Sequence, residues 1–73
     1  MTIVSTEIWT IARRACTEKQ LHCLELKEGH GMSIYQIAYA TNASPSTVRG
    51  HLNAAAHNIR KELHASAAAT LPR

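Results

Sequence analysis

Arg49 and Asn53 stand four residues apart, with Ser46 three before the first and His57 and Arg60 four and seven after the second. At about 100° per residue, all five fall on one side of a helix. Such a face recognises rather than transforms. Arg carries paired donors, and Asn a donor beside an acceptor, that match base edges, Ser pairs with them singly, and Arg or Lys, such as Lys61, neutralises phosphate. Gly50 lies inside the same face. A glycine inside a helix costs about 1 kcal/mol against alanine, and a bare backbone lets a groove come close. A tolerated surface glycine is the plainer alternative. Val48, Leu52, Ala55, Ile59 and Leu63 share the opposite stripe, with Ala56 at its edge, and form its core side.

Local signals define the elements that must position this face. Ser44-Pro45 is an N-cap followed by a proline at the first helical position, where a missing N–H costs nothing. Asn42 tolerates the left-handed conformation that ends a preceding helix. That helix starts at Ile34, because Ser33 and Gln36 fit a capping box. Helix, short turn, helix is the arrangement that lays a second helix in a major groove. Ala38 stands where the two must pass closely.

Thr17 and Gln20 form another capping box and start a helix at Glu18, with Leu21, Leu24 and either Cys23 or the stem of Lys27 facing inward. Gly29 and Gly31 end it. Ser5-Thr6-Glu7 opens a first helix, after Ile3 and Val4, with Ile8, Ile11, Ala12 and Ala15 at helical spacing. No segment alternates with period two. The expected fold is all-α, a small bundle of about four helices containing a helix-turn-helix. Residues 1–73 form one domain, with 1–4 and 65–73 as fraying ends.

At 73 residues, without Phe and with 4% aromatics, the core must come from Leu, Ile, Val, Ala and Trp9. A domain this small buries only about 60% of its unfolded surface. The net charge of +3, with five His in reserve, suits a polyanionic partner. No apolar run approaches the ~20 residues that span a bilayer, and MTIVSTEIW carries no early Lys or Arg. Cys16 and Cys23 form neither a zinc set nor a disulfide framework. A cytoplasmic, reduced protein is expected.

Thr17, Leu24, Ser33, Ile37, Ala38, Ser44, Thr47, Val48, His51, Leu52, Arg60, Lys61 and Leu63 together resemble the helix-turn-helix of LuxR-type regulators and of region 4 of sigma-70-type factors. The resemblance covers residues 15–63. It implies a recognition helix over about 45–62, with Ser46, Arg49, Gly50 and Asn53 facing the groove. Thr41 and Ala43 replace larger aliphatics, which predicts looser packing at the turn. Only HASAAATLPR follows where a LuxR-type domain has a fourth, dimerising helix. This favours the region 4 branch or another dimer mode, in a stand-alone domain.

The expected function is sequence-specific DNA binding in transcriptional regulation, with Ser46, Arg49, Gly50 and Asn53 at the bases. Arg13, Arg14, Ser33, Ser44, Thr47, His57, Arg60 and Lys61 would hold phosphates. The alternative is a module that docks on RNA polymerase or another regulator. A homodimer is expected through Ile8 and Trp9, although Trp9 is by default core filler. His57 and His64 lack a completing carboxylate or thiol for a metal site, and Cys23 beside His22 lacks the third group of a nucleophile. No cofactor, enzyme activity or membrane partner is expected.

Overall fold

The computed structural model describes the backbone of residues 6–70 and the side chains of residues 6–65. The expectations for Ile3 and Val4, for fraying at 1–4 and for 71–73 lie outside the described residues. The described chain is all helical: α1 (Thr6–Ala15), α2 (Glu18–Leu24) continued by a π turn (Glu25–Gly29), α3 (Ile34–Thr41) and α4 (Pro45–Thr70). The first three pack against α4, which serves as the spine of the bundle.

The helix ends follow their side-chain chemistry. The Gln20 N–H donates to Thr17 Oγ1 at 3.3 Å, while Gln20 Oε1 accepts the Thr17 N–H at 3.0 Å. Ser33 and Gln36 repeat this exchange at 3.1 and 2.8 Å. Asn42 closes α3 in the left-handed conformation, φ 56° and ψ 43°. Gly31, at φ 67°, turns the chain out of the π segment. There α2 widens, and the His30 N–H reaches back five residues to the Glu25 carbonyl at 3.2 Å.

The core is small. Cys23, Ile37, Ala38 and Val48 form its centre, with Leu26, Met32, Ile34, Ala43 and Leu52 packed around them. Cys23, not Lys27, points inward from α2. Ala12 on α1 and Ala55 on α4 are fully buried. Cys16 Sγ donates to the Ala55 carbonyl at 3.8 Å, and Asn58 Nδ2 donates to Gln20 Oε1 at 3.1 Å. One glutamine oxygen therefore both caps α2 and ties it to α4.

Burial fades along α4: Val48 and Ala55 are fully buried, Ile59 and Glu62 half-buried, and Leu63 is 38% exposed. Leu63 and Ala56 leave the core stripe that spacing assigned them. The backbone of the Ala-rich end is helical to Thr70, in keeping with alanine's propensity.

Candidate nucleic-acid interface

Three residues, Asn42, Ala43 and Ser44, separate α3 from α4. Ser44 Oγ accepts the Thr47 N–H at 3.1 Å and donates to Thr47 Oγ1 at 2.9 Å. The Val48 N–H is taken by the Ser44 carbonyl. Pro45 has no N–H, so Ser46 carries the first-turn amide still open to an anion. Ser44 and Thr47 bond each other at this end, and Ser33 Oγ is likewise engaged in its capping box.

From here the exposed side of α4 unrolls. Ser46, Arg49, Gly50, Asn53, His57 and Arg60 are all exposed, as is neighbouring Lys61. The structure brings every proposed base-contacting residue onto one solvent-facing stripe. A Cβ built on Gly50 meets nothing within 4 Å. Packing inside the chain thus gives no reason for glycine, and the helix bears its propensity cost uncompensated.

The α1 candidates lie elsewhere. Arg14 pairs with Glu62 at 3.9 Å, about 160° round α4 from Ser46. Arg14 is well exposed and Glu62 half-buried, and at this separation in reach of solvent an ion pair adds little stability. Arg13 borders a cleft with Trp9, His22, Glu25 and His30. The helix that carries them packs on the buried side of α4, where Cys16 meets Ala55. Ile8 and Trp9, the proposed dimer residues, are each half-buried.

Two features escaped the reading of the sequence. Tyr35 and Tyr39 are 67% and 92% exposed on α3 and border a shallow cleft with Met32 and Gln36. Their four-residue spacing, off the stripe of Ile34, Ile37, Ala38 and Thr41, was the available signal. The second is an open cleft of about 640 Å³ beside Thr41, Asn42 and Ala43, the place where small residues predicted loose packing. The Thr41 hydroxyl donates to the Ile37 carbonyl at 2.7 Å, so this side chain caps its own helix rather than filling the space.

Burial pushes the thiols of Cys16 and Cys23 above their ordinary value of 9.0, keeping both protonated near neutrality. Among the described residues, no group of three His, Cys, Asp or Glu is placed to hold a metal ion, and no helix is long and apolar enough to cross a membrane. No family model, curated protein or solved structure matches the chain.

Proposed function

We propose that this chain is a sequence-specific DNA-binding transcriptional regulator that lays α4 in the major groove. The observation that carries the reading is the α4 stripe: Ser46, Arg49, Asn53, His57 and Arg60 are exposed around a glycine that packing does not require. Arg49, Asn53 and Ser46 read base edges, while Arg60, Lys61 and His57 hold phosphates further along. Gly50 admits the groove to the helix backbone. The short turn at Asn42–Ser44 supports the same reading, because α3 can then brace the start of α4. One helix covers only a few base pairs, so two copies on a two-fold site supply the affinity usual for specific binding.

The test is selection of genomic fragments on the purified protein at stated salt, followed by sequencing. A recurring sequence among the bound fragments supports the reading; recovery that mirrors the input contradicts it. Tyr35 and Tyr39 favour a second reading, in which α3 docks on RNA polymerase or another regulator, since exposed aromatics are characteristic of protein interfaces. A Tyr35→Ser, Tyr39→Ser variant that loses regulation in cells while binding DNA normally would assign that role to α3.

A further inference from the structure

The open cleft beside the α3–α4 turn lies outside the α4 stripe and has walls from α2, α4 and the end of α3. Lys19 and His22 line it from α2, and Thr47 and His51 from α4. On α4, Thr47 stands about 100° and His51 about 140° round from Ser46. This wall is therefore the flank between the exposed stripe and the core. A duplex strand bordering α4 in the groove would run along that flank.

The geometry points to this cleft as the seat of one DNA backbone phosphate, held by Lys19 and by the imidazoles of His22 and His51. The inference rests on the duplex reading above and adds residues that reading does not use. Its volume, about 640 Å³, is ample for a phosphodiester and its sugar. Among the described residues, none of Lys19, His22 and His51 is held in an ion pair. The Cys23 thiol behind them is kept protonated by burial and adds no negative charge. Glu18 is the one carboxylate of the cleft. His22 also borders Arg13, Glu25 and His30 on its other side. A phosphate meets three nitrogen-bearing side chains here.

Fluorescence anisotropy of a labelled random-sequence duplex, over a salt series, tests this on wild type, Lys19→Ala and the double variant His22→Ala, His51→Ala. His30→Ala, at an exposed residue away from this cleft, serves as a control. Lys19 and His22 are exposed and His51 half-buried, so these changes spare the core, and circular dichroism checks each fold. Lys19→Ala is expected to weaken all sequences alike and to make the slope of log K against log salt shallower by about 1. The double variant is expected to weaken binding to the duplex, which His30→Ala leaves unchanged. Wild-type slope and affinity in both cleft variants, with wild type binding DNA, overturn the cleft and leave the duplex reading intact. A wild type that binds no duplex overturns both.

Discussion

At Gly50 the folded chain and a bound duplex have opposite requirements. The free helix has open space there, so Gly50→Ala is expected to raise stability by about 1 kcal/mol. The same methyl group, pressed against a groove, is expected to weaken DNA binding, and Gly50→Leu to weaken it further without unfolding the chain. Thermal melts beside a binding assay separate the two effects. Unchanged affinity in both variants would make Gly50 a tolerated surface residue. On the proposed reading, Arg49 and Lys61 would divide the labour of the stripe. Arg49→Ala is expected to cost about 1–3 kcal/mol and relax discrimination at one or two base positions. Lys61→Ala is expected to weaken every sequence equally. If the two variants behaved alike across a panel of duplexes, Arg49 would not be a base reader.

At the scale of elements, short-range chemistry made most of the chain legible. Thr17 with Gln20, Ser33 with Gln36, Asn42, and Ser44 with Pro45 each act within a few residues of themselves, and each falls at the boundary it marks. What was not legible depends on neighbours distant in sequence. The π turn at Glu25–Gly29 carries Leu26, which packs on a centre supplied by α2, α3 and α4. Leu63 keeps the period of a core residue but lies beyond the buried part of α4. Arg14 belongs with Glu62 because of how α1 crosses α4, which spacing along the chain does not encode. Gln20 joins both kinds of information, since its oxygen accepts from Thr17 next door and from Asn58 on α4. Gln20→Ala is therefore expected to destabilise by more than the loss of an ordinary cap, about 1 kcal/mol, whereas Asn58→Ala removes only the second bond. Urea unfolding of the two single variants and the double variant measures this. Equal losses in the two single variants would show that the box itself adds nothing.

As a whole the molecule is elongated, 48 × 22 × 15 Å, with Ile37 and Val48 the largest fully buried side chains. So thin a core leaves room for a second subunit to contribute to stability through mass action. Trp9 is half-buried and lines a cleft with Arg13, Leu26 and His30, so on the proposed reading its outer part would meet a second copy. Sedimentation of wild type is expected to show a dimer on DNA, and Trp9→Ala to weaken it. A wild type that stays monomeric at high concentration and binds DNA one-to-one would contradict that assembly. The central claim, that the α4 stripe meets a polyanion, is tested most directly by titrating a selected duplex with the wild-type protein across a range of salt. With about 3–5 phosphate contacts per subunit, log K is expected to fall against log salt with a slope near −3 to −5 per subunit. A flat response would contradict the claim.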